Sequence, residues 1–581
     1  MKKTKIVATI GPASDSEAML TAFAREGVNV FRLNFSHGTH QSHGEVIRRI
    51  KEVRKKTGIP VAIMLDTKGP EIRTGDFPQG PVDLREGQEY KFYFAPRPGD
   101  GEGVSVSYAD LGRDVAVGGT LLVDDGLLEF EIQEIFDDHL TTVVKNNGTI
   151  ASKKSINVPG AAIRLPALTE KDRADILFGV EQGVDFIAAS FIRKAEDVFA
   201  IRKLLEEAGG SSIKIIAKIE NQEGVAHQRQ IIDIADGIMV ARGDLGVEIE
   251  TEAVPIVQKE MIAACMDEGI YAITATQMLD SMMRNPRPTR AEVNDVANAI
   301  MDGTSAVMLS GETASGKYPL EAVRSMVRVC EITEEHLDYR RQREMAKRAE
   351  ATITNVIARN AVDIAEELKV DAIIVSTATG FSARAISKFR PQVPVIGVTT
   401  SEKPLREMSL YWNVEGVLAP HVGEDFIEET VGAVLEAGKI RQGDLVVLVA
   451  GIPRGLTGST NLIKVHQVTQ ILAKGTPIYG ERAMGKARIV NDSGSYSRDF
   501  HQGDILIAPA YDPDLLPFAR RAGGLIFEEG GMTSEGAIIG SSLEKPTIVG
   551  AAGATELEHA RVITMNGRTG EIVAGDMKAK G

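Results

Sequence analysis

The sequence predicts an α/β fold: a closed (β/α)8 barrel of the TIM type, interrupted by an inserted all-β domain and followed by further α/β structure. Three observations predict it. Eight short apolar runs recur through the first half, most of them about 20 to 35 residues apart, room for one crossover helix each. One gap, between the third and fourth runs, breaks this rhythm and turns to alternating polar and apolar residues. Beyond about residue 352 the strand–helix alternation resumes, and it ends in a Gly-rich tail of about 105 residues.

The eight runs are KIVATIG (5–11), VNVFRLNFS (28–36), VAIMLDTKG (61–69), DFIAASFIR (185–193), KIIAKIEN (214–221), GIMVARGDLG (237–246), YAITATQML (271–279) and SAVMLSGE (305–312). Continuous apolar runs of this length read as parallel strands covered on both faces, and eight βα units close a barrel. The gap from Lys68 to about Pro166 holds VDLREGQEYKFYF, EGVSVSY, GGTLLVDDGLLEFEI and HLTTVVKNNGT, with Asn147-Gly148 expected as a hairpin turn. An insertion there stands on the C-terminal face of the barrel, where active sites form, so a lid is expected. A charged helix, EITEEHLDYRRQREMAKRAE, leads to strands at DAIIVS, VPVIGVTT, VEGVLAP and DLVVLVAG. A break at LAKGTPIYGER opens the tail, with runs GDILIAPA, GGLIFEEGG and KPTIVGA. The expected domains are thus 1–69 with 166–340 (barrel), 70–165 (lid), 341–473 (α/β) and 474–581 (tail).

Sixty-six basic against eighty-one acidic residues leave a formal charge of −15, which argues against general affinity for nucleic acid or anionic membrane. Two cysteines, Cys265 and Cys330, cannot scaffold a chain of this size, so a reducing compartment is expected. The apolar run after the basic start MKK ends at Ile10, too short for a signal sequence, and no stretch approaches the ~18 apolar residues of a membrane span. The reading is a cytoplasmic protein.

Polar residues gather where the expected barrel strands end. Strand two closes with Arg32-x-Asn34-x-Ser36-His37, and strand three with Asp66-Thr67-Lys68-Gly69-Pro70-Glu71-x-Arg73. Strand five places Lys218 and Glu220 on one face, strand six ends in Arg242-Gly243-Asp244, and strand seven in Thr274-x-Thr276-Gln277. A buried Lys and Glu are costly unless they pair with each other or with a ligand. That pair alone is read equally well as a plain ion pair; five strands ending in such groups point to a site. Alternating cations and hard oxygen ligands suit a phosphorylated carboxylate held through Mg²⁺, with Glu220 and Asp244 as ligands and Lys218 and Arg32 neutralising a transferring phosphoryl group. The sequence has no Walker G-x-x-x-x-G-K-[ST], H-x-x-x-H, CxxC or nucleophile elbow, so P-loop, zinc and acyl-transfer chemistry lack support.

The runs TKIVATIGPAS, FRLNFSHG, LDTKGPEIRTG, AKIEN, MVARGDLGVEI, ATQMLDSMMRNPRPTRAEVNDVANA and DGTSAVMLSGETASGKYP together resemble the pyruvate kinase family, in matching order from about residue 3 to 472. The fold this implies is a TIM barrel with an inserted β-barrel lid domain, a C-terminal α/β domain and, here, an extra α/β domain of swivelling type. The activity it implies is transfer of the phosphoryl group of phosphoenolpyruvate to ADP, giving pyruvate and ATP. Carried over by motif, Glu220 and Asp244 are the ligands of Mg²⁺ or Mn²⁺, and Lys218 stabilises the phosphoryl group. Gly243, Asp244 and Thr276 cradle the substrate carboxylate, on the expectation that a helix begins after Asp244, and Arg32 contacts the phosphate. Thr276 is near the protonation step. Arg73 and Lys154, with Asn34, Ser36 and His37, face the nucleotide; Asn34, Ser36, Asp66 and Thr67 match the K⁺ site, and Glu71 implies K⁺ dependence. Ser155 stands where the family usually has Gly.

In STATGFSARAISKFRP, Thr377, Thr379, Gly380 and Ser382 open a helix and form an anion nest or a plain helix cap. The resemblance favours a phosphorylated effector there, a sugar phosphate or AMP, and implies a homotetramer. The tail run GGMTSEGAIIGSSLEKPTIVG resembles the phosphohistidine domain of phosphoenolpyruvate-using phosphotransferases, with Glu535 in place of the phosphorylated His. A carboxylate cannot serve as that carrier, so a structural or subunit-contact role is expected. The competing readings are a phosphoenolpyruvate synthase or dikinase, a barrel lyase acting on pyruvate enolates, and a catalytically silent metabolite sensor.

Overall fold

A computed structural model of the chain describes residues 2–346, 351–422, 426–452, 460–468, 471–490 and 499–575. The chain divides into two compact units, residues 1–434 with 447–464, and residues 435–446 with 465–581.

The first unit is built on a closed barrel of eight strands: β1 (Lys5–Thr9), β2 (Val30–Asn34), β3 (Ala62–Asp66), β4 (Phe186–Ala189), β5 (Lys214–Ile219), β6 (Gly237–Ala241), β7 (Tyr271–Ala275) and β8 (Ala306–Leu309). Each strand is hydrogen-bonded in parallel to its neighbours in chain order, and β1 pairs with β8 to close the ring. Alternation decides what faces where. In β5, Ile215, Ala217 and Ile219 join the large core beneath the helices, which leaves Lys218 on the barrel-interior face. In β2 and β3 the same rule sends Phe31, Leu33, Ile63 and Leu65 outward and leaves Arg32 and Asp66 inward. The register sets Asn34 beside Asp66.

The crossover helices start and stop where their ends are satisfied. Thr289 accepts from Glu292 N while Glu292 accepts from Thr289 N, and Gly303 ends that helix, Arg290–Asp302, in the left-handed region with φ 100°. Both cysteines are fully buried in this layer, where burial pushes the Cys330 thiol up to about 12 and the Cys265 thiol higher still.

The insertion between β3 and β4 forms a seven-stranded sheet around Tyr90, Phe92, Phe130 and Leu140. Its edges, Ile72–Arg73 and Gly103–Ser105, meet each other: Thr74 bridges Val106, and Gly75 N donates to Ser105 O at 2.7 Å. The sheet therefore closes on itself as a small barrel, which removes its exposed edges. One expectation fails here. Asn147-Gly148 is not a hairpin turn, because Gly148–Ile150 pairs with the distant Val82–Leu84 rather than folding back on His139–Val144. The Asn147 side chain instead accepts from Glu86 N at 3.0 Å, pinning the chain as it crosses.

The charged segment after β8 is also two helices rather than one, Pro319–Glu335 and Tyr339–Ala346, and its last residues, 347–350, lie outside the described residues. A five-stranded sheet follows in the order Val414–Leu418, Val395–Thr399, Ala372–Ser376, Leu445–Gly451, Thr460–Gln467.

The second unit holds an eight-stranded sheet whose centre is Arg482–Ile489, Ile505–Ala508, Gly524–Phe527 and Thr547–Val549, all parallel. Successive residues serve opposite faces: Ile505, Ile507, Ile526 and Ile548 fill one core, while Leu506, Leu525, Phe527 and Val549 fill the other. Among the described residues no helix is long and apolar enough to cross a membrane.

Candidate active site

A cleft of about 1030 Å³ opens at the C-terminal ends of the barrel strands, under the inserted lid. Its floor is a chain of buried charges. Arg32 Nε donates to Asp66 Oδ2 at 2.6 Å, and its Nη1 donates to Thr9 Oγ1 at 2.8 Å. Asp66 Oδ1 accepts from Lys218 Nζ at 3.1 Å, and Lys218 Nζ is 2.9 Å from Glu220 Oε1. Asp244, from the helix Arg242–Glu248, lines the same cleft, and its charge acts on Glu220.

Electrostatics divide this chain in two. Burial alone would lift the Asp66 carboxyl; Arg32 and Lys218 outweigh it and hold Asp66 below the usual range. Burial alone would lower the Lys218 ammonium, and Asp66 with Glu220 holds it above the usual lysine range instead. Glu220 and Asp244 go the other way: burial raises both, and one lysine between them compensates only in part. A buried Glu220 and a half-buried Asp244, short of positive charge and offering hard oxygens, are a donor set that fits a divalent cation of the Mg²⁺ class.

A second group lies between β6 and β7. The helix begins at Arg242, three residues earlier than expected, so Gly243 and Asp244 occupy its first turn rather than preceding it. Gly243 N donates to Thr276 Oγ1 at 2.8 Å, while Thr276 holds φ 67° and Gln277 φ 54°, left-handed values rarely adopted by non-glycine residues. Arg242 secures that turn by donating from Nη2 to Thr276 O at 2.8 Å and from Nη1 to Asp295 Oδ1 at 2.7 Å. A methyl group on Gly243 would meet nothing nearer than Thr276 Oγ1 at 3.5 Å, so the cradle has open space above this amide.

The residues assigned to the nucleotide are held at the cleft mouth. Arg73 Nε donates to Glu71 Oε2 at 2.7 Å, and Lys154 Nζ donates to Asp124 Oδ1 at 2.9 Å. Ser155 lies in the strand Ser155–Asn157, with its hydroxyl donating to Asp125 Oδ1 at 2.8 Å; the left-handed residue is Lys153, φ 59°, so the strand makes no demand for Gly at 155. Asn34, Ser36 and His37 line the cleft. Thr67 does not: its hydroxyl accepts from Ser190 N at 3.1 Å and is buried.

Three participants had not been singled out. Ser190 Oγ accepts from Lys218 Nζ at 2.6 Å and donates to Thr67 O at 2.7 Å. Phe191, at φ 56°, donates its amide to Glu220 Oε2 at 2.6 Å. Glu248 accepts from Asn157 Nδ2 of the lid at 2.7 Å. Ser190 follows the strand Phe186–Ala189 directly, but a lone serine inside run four carries no mark of its own, and the backbone angle of Phe191 and the contact of Glu248 leave no trace in composition.

Away from the cleft, Gly380 caps the helix Phe381–Lys388 with φ 80°, and its amide donates to Thr377 Oγ1 at 3.0 Å. The Ser382 and Thr460 hydroxyls are hydrogen-bonded at 2.6 Å, and Thr379 is exposed. In the second unit Glu535 begins the helix Glu535–Ser542, capped by Ser534.

Comparison with known proteins shows the family of the chain. A profile of the pyruvate kinase barrel domain matches residues 1–323, that of the pyruvate kinase alpha/beta domain residues 355–466, and that of the PEP-utilising enzyme mobile domain residues 500–570. The chain belongs to the pyruvate kinase family. Pyruvate kinase of Geobacillus stearothermophilus is 48% identical over 580 residues, 99% of each chain. Those of Sporosarcina psychrophila and Bacillus licheniformis are each 46% identical over 581 residues, again 99% of each chain. The likeness runs through the extra C-terminal domain, and the activity of this chain is that of its family.

Proposed function

We propose that the cleft transfers the phosphoryl group of phosphoenolpyruvate to ADP, with Lys218, Glu220 and Asp244 at the reacting centre. The observation that carries this reading is the buried run Arg32–Asp66–Lys218–Glu220 with the half-buried Asp244 beside it, three carboxylates against two cations, on the floor of a cleft large enough for two phosphorylated substrates. Glu220 and Asp244 would hold Mg²⁺ or Mn²⁺, which when bound supplies charge neutralisation and alignment of phosphoryl oxygens.

Lys218 keeps its proton throughout, because Asp66 and Glu220 stabilise the ammonium, and it places a fixed positive charge where charge builds during transfer. Arg32, immobilised by Asp66 and Thr9, adds a second donor toward the phosphate. The Gly243 amide, exchanging Thr276 Oγ1 for the substrate, receives the substrate carboxylate together with the Asp244 amide in the first helical turn and the Thr276 hydroxyl. Release of the phosphoryl group leaves enolpyruvate, which takes a proton at carbon through a relay next to Thr276. Arg73 and Lys154 reach ADP by exchanging Glu71 and Asp124 for phosphate oxygens.

K⁺ is proposed beside Asn34, Ser36, Asp66 and Thr67, where neutral oxygens and one carboxylate suit a monovalent ion. Family membership supports a cytoplasmic homotetramer with a phosphorylated effector, a sugar phosphate or AMP, at Thr377, Thr379, Gly380 and Ser382, and supports the four-domain division given above. A coupled assay for pyruvate formation from phosphoenolpyruvate and ADP tests the reading. Turnover should require Mg²⁺ or Mn²⁺ and fall when Na⁺ replaces K⁺; pyruvate released without ADP, or AMP as product, would reject it.

A further inference from the structure

At the opposite end of the barrel, where the strands begin, lies a much smaller recess of about 20 Å³, room for one guest of roughly water size. It is lined by Tyr271 and Ser305 from the barrel and by Arg384, Lys388, Arg390 and Trp412 from the following α/β domain. Arg390 is 3% exposed, and its Nε and Nη1 are buried without a hydrogen-bond partner. Its remaining contacts are a hydrogen bond from Nη2 to Gly303 O and the face of Trp412, 4.6 Å from the guanidinium carbon.

None of Arg384, Lys388 and Arg390 makes an ion pair among the described residues. Asp267 and Glu268 act on Lys388 only at longer range, as Glu334 does on Arg390. Burial pushes the Arg390 guanidinium down to about 9, leaving it charged at neutral pH with its charge uncompensated. Arginine and lysine side chains donate and cannot accept. A water would satisfy two donors at most and none of the charge; a spherical anion accepts from all of them.

We propose that this recess binds one small inorganic monoanion of the halide class, coordinated by Arg384, Lys388 and Arg390, and that the ion fastens the C-terminal α/β domain to the floor of the barrel.

The test uses the full-length chain, melted in sodium chloride and in sodium gluconate at equal ionic strength, gluconate being too large to enter. Chloride should raise the melting temperature by about 2–4 °C and then saturate. The response should shrink in Lys388→Gln and vanish in the Arg384→Gln/Lys388→Gln double variant. Equal melting in the two salts, or an unchanged chloride response in the double variant, overturns the proposal. Crystals grown in bromide give a readout that needs no variant: anomalous density beside Arg390 is expected, and its absence overturns the proposal as well.

Discussion

Ser190 Oγ lies 2.6 Å from Lys218 Nζ, the shortest of the contacts that fix this ammonium between Asp66 and Glu220. Three oxygens from three different strand ends therefore set the direction of one charge. Ser190→Ala removes one of them and leaves both carboxylates. We expect kcat to drop about tenfold, the loss of one charge-assisted hydrogen bond, with KM for phosphoenolpyruvate nearly unchanged. Steady-state kinetics check it; Ser190→Thr, which keeps the hydroxyl, should recover part of the rate.

Lys218→Met keeps most of the length of the side chain and deletes the ammonium and its charge. Turnover should fall by roughly a thousandfold or more, since a preorganised donor at developing charge is the largest single contribution a residue of this kind makes. Phosphoenolpyruvate should still bind, as measured by fluorescence or calorimetry. Near-normal turnover would sink the assignment of Lys218.

Gly243→Ala separates stability from binding. The added methyl clashes with no atom of the chain and Gly243 needs no left-handed backbone, so the melting temperature should shift by no more than about 1–2 °C. The methyl does fill the open space over the amide, so KM for phosphoenolpyruvate should rise about tenfold or more. An unaltered KM would move the carboxylate elsewhere.

Glu407 offers a pH test remote from the cleft. It is 4% exposed, and burial pushes its carboxyl up to about 7, despite Lys214 at 4.0 Å. Between the ordinary glutamate value near 4.5 and about 7, the folded chain keeps a proton that the unfolded chain has lost. Raising pH through that window therefore destabilises the fold. Glu407→Gln removes the titration, so its stability relative to the parent should improve from pH 5 to pH 8, by at most about 3 kcal/mol. Urea denaturation at the two pH values measures it; a parallel pH response in both proteins contradicts the prediction.

The barrel was legible because strands covered on both faces have no polar alternation to blur them, and the groups at their ends stand out against continuous apolar runs. Lys218 and Glu220 are visible in KIIAKIEN for that reason. Ser190 in DFIAASFIR was passed over because a lone serine after alanines is unremarkable until the fold brings Lys218 against it. Asn147-Gly148 misled for a different reason: a turn signal is local, whereas the partner of Gly148–Ile150 lies more than sixty residues back, at Val82–Leu84. The left-handed angles at Phe191, Thr276 and Gln277 were invisible because no glycine marks them.

The two thiols of this chain are both sealed in the packed layer around the barrel, and burial keeps each in its unreactive protonated form. A single cysteine introduced at an exposed position of the lid, such as Lys153, would therefore be the only group open to maleimide in the native fold. One dye attached there would report on the surroundings of the cleft mouth without any prior removal of native sulfur.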